Sequence, residues 1–121
     1  MIYIGTDIVP IVRIEKNIER KKNKFLDHIF TSIEQKICNE KATPSIHYSG
    51  KFAAKEAIKK ALLSSKIIQN ISLKSIEIQN DDLGAPVIYI SSKDINIDPE
   101  KIKVSISHAG EYATSTAIIE L

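Results

Sequence analysis

Apolar residues follow a helical spacing in most of the first half of the chain and a largely alternating spacing in the second half. Residues 2–9 are mostly apolar and β-branched, which predicts a buried strand. Pro10 can end that strand and occupy the first turn of a helix. Ile11, Ile14 and Ile18 then recur at helical spacing, so a helix is expected directly after the strand.

Three further helices are expected before the pattern changes. Residues 23–30 fit a short helix, and Thr31 with Glu34 forms a capping-box pattern that begins a helix running to about Lys41. The longest helix is expected over residues 45–65, after a break at Thr43-Pro44.

Small residues distinguish this longest helix. Ala53, Ala54, Ala57 and Ala61 allow neighbouring elements to approach closely. Gly50 costs about 1 kcal/mol relative to alanine inside a helix, so we expect another element to pass close to it.

The second half predicts strands joined by turns. Strands are expected over 71–79, 87–91, 102–108 and 112–120, with turns at 80–86 and 109–110 and a short helix at 91–97. One strand, then helices, then strands in hairpin-like succession indicates an α+β fold with a mainly antiparallel sheet. We expect a single domain spanning residues 1–121.

Composition places the chain among globular proteins, with 43% apolar and 26% charged residues. No apolar run reaches the roughly 18 residues of a membrane span, and the first residues lack the features of a signal peptide. The lone cysteine, Cys38, excludes an internal disulfide and suits a reducing compartment, so a cytoplasmic protein is expected.

Positive charge is concentrated near the start of the chain. Between Arg13 and Lys24 there are six basic residues against two acidic ones, although the whole chain carries only +2. Such a segment can attract an acidic protein surface, a phosphate-rich ligand or nucleic acid, or it can be a solvated helix face.

Three places carry candidate chemistry. Asp7 lies in an apolar strand, where an unpaired carboxylate is costly unless a metal, a basic partner or backbone donors compensate it. Glu56 and Lys60 share a helix face with Phe52; their alternative role is an ordinary surface ion pair. His108 ends a strand, where it is either structural or able to contact a phosphate.

These residues together suit a metal and phosphate site. Carboxylates at Asp7 and Glu56 are the oxygen ligands that Mg²⁺ prefers, and nearby lysines can neutralise phosphate charge. Lys51, Lys55 and Lys59 form a stripe beside them on the helix. The chain has neither the Cys/His spacing of a zinc site nor the glycine pattern of a P-loop.

At these residues the sequence resembles the holo-[acyl-carrier-protein] synthase family, the small type of 4'-phosphopantetheinyl transferase. The most specific match is the family's F-A-A-K-E-A-x-x-K-A stretch, and the matches run in order along nearly the whole chain. The matching segments are Gly5-Thr6-Asp7-Ile8-Val9 with Arg13, Phe30-Thr31 with Glu34, Lys51-Phe52-Ala53-Ala54-Lys55-Glu56-Ala57 through Lys60-Ala61-Leu62, Gly84 with Pro86, and Ser105-Ile106-Ser107-His108 with Tyr112-Ala113.

The resemblance implies a reaction and a role for each site residue. A serine of apo acyl carrier protein, deprotonated by a water molecule or by Asp7, would attack the β-phosphate of coenzyme A and release 3',5'-ADP, in support of fatty acid biosynthesis. Asp7 and Glu56 would bind Mg²⁺, and Lys60 would bind or protonate the phosphate bridge. The remaining contacts, at the adenosine 3'-phosphate end, would come from Lys51, Gly84, Pro86 and His108.

The resemblance also implies an assembly and a docking surface. Family members are homotrimers with active sites at the subunit interfaces, and their first helix docks an acidic helix of the carrier protein. Here that helix carries Arg13, Lys16 and Arg20. Neither nucleic acid nor a membrane is implied as a partner.

The chain departs from the family pattern in two places. Leu63-Ser64-Ser65 replaces a glycine-containing loop, and Ala85 replaces a usually basic residue between Gly84 and Pro86. Both changes affect the expected coenzyme A pocket.

Two alternatives remain open from the residues alone. One is a Mg²⁺-dependent nuclease, which would need Asp81 or Asp82 as a third acid near Asp7 and Glu56. The other is a binding module for an acidic partner, in which those two carboxylates are only paired with lysines.

Overall fold

The helices of the protein are grouped between its first strand and its later strands in the computed structural model, which describes residues 1–91, 93 and 95–121. A strand, β1, is followed by four helices, two strands and then two more strands. Short 3-10 turns lie at Leu73–Ser75 and Pro99–Lys101. The bounds are β1 Ile2–Pro10, α1 Ile11–Lys21, α2 Asn23–Ile29, α3 Ser32–Asn39, α4 Pro44–Ser65, β2 Ile76–Asn80, β3 Pro86–Ile90, β4 Ile102–Ala109 and β5 Tyr112–Glu120.

The described strands form two antiparallel sheets. β5 lies between β1 and β4 in a three-stranded sheet, and β2 pairs with β3 in a separate hairpin. The predicted α+β class with antiparallel strands is therefore confirmed, with the strands divided between two sheets.

The long helix α4 packs directly on β1. A methyl group at Gly5 would lie 1.9 Å from the Ala57 carbonyl oxygen and 2.7 Å from the Ala61 nitrogen, so the strand and helix backbones touch. Ala57 and Ala61 are fully buried there. A methyl group at Gly50 would lie 3.0 Å from a side-chain carbon of Ile106, which confirms the expected close approach to this glycine.

The capping box that begins α3 is present. The Thr31 hydroxyl accepts a hydrogen bond from the Glu34 nitrogen at 3.3 Å, and the Thr31 nitrogen donates to Glu34 Oε1 at 2.9 Å. These two bonds satisfy backbone donors that a helix start otherwise leaves without partners.

The strand expected over 71–79 is wrong in its first half. Residues 73–75 form a 3-10 turn, and β2 begins only at Ile76. The Leu73 carbonyl accepts a hydrogen bond from the buried Lys55 ammonium at 3.2 Å, so this segment turns over a charged group instead of pairing with a strand. An alternating pattern cannot reveal that contact.

The short helix expected over 91–97 includes Ser92 and Asp94, which lie outside the described residues. Ile95, Asn96 and Ile97 have no helical structure.

Two apolar clusters lie along α4. One surrounds its C-terminal half and includes residues of both sheets, and the other contains residues of α1, α2, α3 and the N-terminal half of α4. Cys38 is fully buried in the second cluster, where burial raises the pKa of its thiol to about 11. Among the described helices, none combines the length and apolar content needed to cross a membrane.

We expect Gly5→Ala to destabilise the protein by about 1–3 kcal/mol, because the added methyl group meets backbone atoms that cannot rotate away. Gly50→Ala is the matched control: its methyl group meets only a side chain, and alanine favours the helix. Denaturant unfolding at one protein concentration measures both changes. Equal stability of Gly5→Ala and the unmodified chain would contradict the close backbone packing.

Candidate functional site

A cavity of about 700 Å³ opens between α3, the first half of α4, the turn joining β2 to β3, and β4. Lys51, Gly84, Pro86 and His108, four of the residues predicted to bind a nucleotide, all line it. The other lining residues are Ile37, Lys41, Ile46, His47, Gly50, Asn80, Asp81, Asp82, Val104, Ser105 and Ile106.

The helix α4 and the turn between β2 and β3 place the residues that line the cavity. His47, Gly50 and Lys51 fall on one side of α4 because residues three and four apart share a helix face. Opposite them, Asp81 holds a tight turn: its Oδ1 accepts hydrogen bonds from the nitrogens of Leu83 and Ala85, both at 2.9 Å.

Gly84 gives this turn its shape. Its φ of 86° lies in the left-handed region, which glycine adopts without steric cost. Ala85 is exposed, and its main chain is tied to Asp81 at both ends, since the Asp81 nitrogen donates to the Ala85 carbonyl at 2.9 Å. The absence of a basic side chain there therefore leaves the turn intact.

The second departure from the family pattern is helical. Leu63, Ser64 and Ser65 form the last turn of α4, and the capping residue that follows, Lys66, has a φ of 62°, which places a non-glycine residue in the left-handed region. The helix thus ends without a glycine.

Lys51 has a structural contact that the sequence did not reveal. It is buried, and its Nζ donates to the Ile78 carbonyl oxygen at 2.7 Å. Burial lowers the pKa of its ammonium. An ammonium group has two further hydrogens, so this contact leaves Lys51 able to bind an anion in the cavity.

Asp7 and Lys60 meet across the contact between β1 and α4. The Lys60 Nζ lies 3.1 Å from Asp7 Oδ1 and 2.9 Å from the Thr6 carbonyl oxygen. The Asp7 side chain is 16% exposed and that of Lys60 is 53% exposed. A hydrogen bond of 2.9 Å from the Thr114 hydroxyl to the Asp7 carbonyl links this strand to β5.

Glu56 lies one helical turn before Lys60 on α4 and is partly buried. Within the described part of the chain, neither Glu56 oxygen has a hydrogen-bond or ion-pair partner, and Asp7 uses only Oδ1. Lys60 therefore pairs with Asp7, and the alternative surface pair of Glu56 with Lys60 is not formed.

The donors fit a magnesium ion. Asp7 and Glu56 supply carboxylate oxygens from two elements in contact, and Mg²⁺ commonly takes only one or two carboxylates beside water and phosphate oxygens. Three or more His, Cys, Asp or Glu side chains do not converge anywhere in residues 1–91, 93 and 95–121. That result argues against the three-acid nuclease site, and Asp81 and Asp82 lie instead at the cavity.

The acid–lysine site (Asp7, Glu56 and Lys60) is separate from the cavity, but α4 contributes residues to both. Glu56 lies five positions after Lys51 on α4, which is a rise of about 7.5 Å along the helix axis and about 140° around it.

A buried ion pair joins α3 to α4. Both side chains of Glu34 and Lys55 are fully buried, and Lys55 Nζ lies 2.5 Å from Glu34 Oε1. Lys55 also donates to the carbonyls of Ile29 at 2.7 Å and Leu73 at 3.2 Å, while Glu34 Oε2 accepts from the Ile78 nitrogen at 2.8 Å. Burial lowers the pKa of the Lys55 ammonium, and the Glu34 carboxylate opposes that shift.

The sequence did not separate Lys55 from the surface stripe of lysines. Two signals point to its burial: the capping box places Glu34 at a helix start, and Lys55 directly follows Ala53 and Ala54, which are fully buried.

Arg13, Lys16 and Arg20 are exposed on α1. Spacings of three and four residues place them along one side of that helix, away from the buried Ile11 and Ile14.

Comparisons with known proteins agree with this arrangement. A sequence model described as the 4'-phosphopantetheinyl transferase superfamily matches residues 3–117. A holo-[acyl-carrier-protein] synthase of Chlamydia pneumoniae is 43% identical over 118 residues, which cover 98% of this chain and 96% of the relative.

Solved structures are similar over nearly their whole length. Holo-[acyl-carrier-protein] synthase of Helicobacter pylori in complex with coenzyme A superposes with a TM-score of 0.81 at 35% identity, covering 97% of this chain and 99% of that one. The Bacillus anthracis enzyme in complex with coenzyme A (3',5'-ADP) gives a TM-score of 0.78 at 33% identity, covering 98% and 95%.

We expect Glu34→Gln to destabilise the protein by about 3–5 kcal/mol, because the buried Lys55 ammonium would lose its counter-charge. Glu40→Gln, at an exposed position after α3, should change stability by less than about 0.5 kcal/mol. Denaturant unfolding compares the two. The double variant Glu34→Leu with Lys55→Met should recover part of the lost free energy of unfolding. If Glu34→Gln were as stable as the unmodified chain, the ion pair would not be needed for stability.

Proposed function

Because the chain belongs to the 4'-phosphopantetheinyl transferase superfamily and is a holo-[acyl-carrier-protein] synthase type of transferase, we propose the following reaction for it. It moves the 4'-phosphopantetheine arm of coenzyme A to a serine of apo acyl carrier protein and releases 3',5'-ADP. The observation that carries this proposal is the pairing on α4 of a basic, nucleotide-sized cavity with an acid–lysine site.

Coenzyme A lies along α4 in this proposal. Its adenosine 3'-phosphate end enters the cavity, where Lys51, His108 and the turn from Gly84 to Pro86 contact it. Its diphosphate reaches Asp7, Glu56 and Lys60. Because α4 contributes residues both to the cavity and to the acid–lysine site, this shared helix supports the placement.

Asp7 and Glu56 hold Mg²⁺ in this proposal, with Asp7 Oδ2 and the Glu56 oxygens as the available donors. When bound, the ion neutralises charge on the diphosphate of coenzyme A. The whole chain, residues 1–121, would act as one transferase domain.

Lys60 stabilises the leaving group. Two of its three ammonium hydrogens are engaged by Asp7 and Thr6, which fixes the third for a phosphate oxygen. The carrier serine Oγ forms a bond to the β-phosphorus while the bridging phosphorus–oxygen bond breaks, and 3',5'-ADP leaves. The serine proton passes to a water molecule or to Asp7. Positioning and charge neutralisation supply most of the rate increase in such a transfer.

The basic side of α1 is the docking surface for the carrier protein. Arg13, Lys16 and Arg20 are exposed and lie along one side of the helix, so an acidic helix can lie against them. Electrostatic complementarity of this kind chiefly raises the association rate.

The outer face of the three-stranded sheet is the contact surface of a homotrimer in this proposal. Ile4, Ile8 and Ile118 on this face are 58%, 63% and 42% exposed, and Ile4 lies directly opposite Ile118. Asp7 follows the strand alternation and points to the opposite side of β1, toward α4, so the acid–lysine site lies across the strand from this face.

We assign the reaction to the cytoplasm and to fatty acid biosynthesis. The buried thiol of Cys38 is compatible with a reducing compartment.

The first test is mass spectrometry of an apo acyl carrier protein incubated with this protein, coenzyme A and Mg²⁺. We expect the carrier to gain one phosphopantetheine group and the gain to disappear on chelation. Glu56→Gln should lower the rate by at least about a hundredfold if its carboxylate holds the metal, whereas Glu40→Gln should not change it. Modification without added metal, after thorough chelation, would contradict the magnesium site; no modification by a folded protein would contradict the transferase.

The oligomeric state tests the outer sheet face. Light scattering coupled to size exclusion should give three copies for the unmodified chain and fewer for Ile8→Glu, because a charge would be buried between apolar side chains. Ile67→Glu introduces the same charge at a residue that is 52% exposed outside the sheet and should leave the assembly intact. A monomeric unmodified protein, or an assembly that Ile8→Glu does not weaken, would contradict the proposed interface.

A further inference from the structure

His47 lines the cavity, and the proposed reaction gives it no role. It is on the first turn of α4 beyond Pro44, one turn before Lys51, and it lines the cavity together with Lys41 and His108. These four basic side chains come from three places in the chain: the segment before α4, α4 itself and the end of β4.

The charges around His47 favour an anion on its side of the cavity. Lys41 and His108 are exposed and Lys51 is buried, and all three lie near enough to influence the His47 ring electrostatically. The acidic residues that line the cavity, Asp81 and Asp82, come from the turn between β2 and β3.

Both acidic side chains are confined to that turn. Asp81 Oδ1 accepts two backbone hydrogen bonds that hold the turn, and Asp82 is an exposed residue. The wall formed by α4 and β4 is therefore the basic side of the cavity.

An empty cavity favours the neutral imidazole. His47 is an exposed residue whose ring is only partly desolvated; this desolvation lowers its pKa, and the positive charges of Lys41, His108 and Lys51 lower the pKa further. A bound phosphate reverses the balance, since its negative charge attracts an imidazolium that can donate from both ring nitrogens.

We propose that His47, together with Lys41, binds the 3'-phosphate of coenzyme A and takes up a proton when it does so. This inference rests on the proposed function, because it assigns the 3'-phosphate to this cavity. It makes His47 a pH-dependent specificity determinant, which distinguishes nucleotides with a 3'-phosphate from those without one.

The sign of the pH dependence follows from proton uptake. The bound state carries more protons than the free state, so affinity rises as pH falls from about 8 to about 6, by at most about tenfold per pH unit for one proton. The phosphate itself takes up a proton near pH 6, which weakens binding in the opposite direction. Comparison with a His47 variant removes that contribution, because it is common to both proteins.

Titration calorimetry with 3',5'-ADP tests the inference without turnover. Measurements at pH 6, 7 and 8, in buffers of different ionisation enthalpy, give the affinity and the number of protons taken up. We expect the unmodified protein to take up protons on binding near pH 7. In His47→Gln we expect this proton uptake to be lost and the affinity at pH 6 to be three- to tenfold weaker. The matched control is His28→Gln on α2, an exposed histidine outside the cavity, which should retain both properties.

A second ligand and a second variant complete the test. 5'-ADP, which lacks the 3'-phosphate, should bind more weakly and without the His47-dependent proton. The inference is wrong if His47→Gln takes up the same number of protons as the unmodified protein, or if only His108→Gln abolishes uptake. Failure of the unmodified protein to bind 3',5'-ADP at any pH would instead refute the proposed function itself.

Discussion

The fully buried ion pair of Glu34 and Lys55 is the contact on which the arrangement of the other elements depends. Its charges would be costly without one another, and their remaining bonds are all made to backbone groups. Through the carbonyls of Ile29 and Leu73 and the nitrogen of Ile78, one pair joins α2, α3 and α4 to the segment leading into β2 and to β2 itself. The same buried ion pair therefore holds the helices and the β2–β3 hairpin together.

The Glu34–Lys55 ion pair also positions the candidate site. Glu34 accepts a hydrogen bond from the nitrogen of Ile78, and Lys51 donates one to the carbonyl oxygen of Ile78. The β2–β3 hairpin that carries Gly84 is therefore bound to the same helix that carries Glu56. At the other end of α4, the backbone contact at Gly5 sets β1 close enough for Asp7 to meet Lys60. One helix thus places both the nucleotide cavity and the acid–lysine site.

Local signals predicted much of this architecture because their causes are local. The capping box of Thr31 with Glu34 set the start of α3, and Pro10 set the boundary between β1 and α1. The alternating pattern failed at Leu73, where a long-range hydrogen bond from Lys55 overrides strand formation. The motif residues Lys51 and His108 were expected to be near one another, and both line one cavity.

The sequence by itself determined the fold class, most helix and strand boundaries and the family, because spacing, caps and motifs act over a few residues. Only the tertiary structure decided which charged side chains are buried and what they meet. Lys51 and Lys55 occupy similar positions along α4, yet one donates to the Ile78 carbonyl 27 residues away and the other pairs with Glu34, 21 residues away. His47 likewise has a role only because distant segments converge on it, and such convergence depends on packing that no local pattern encodes.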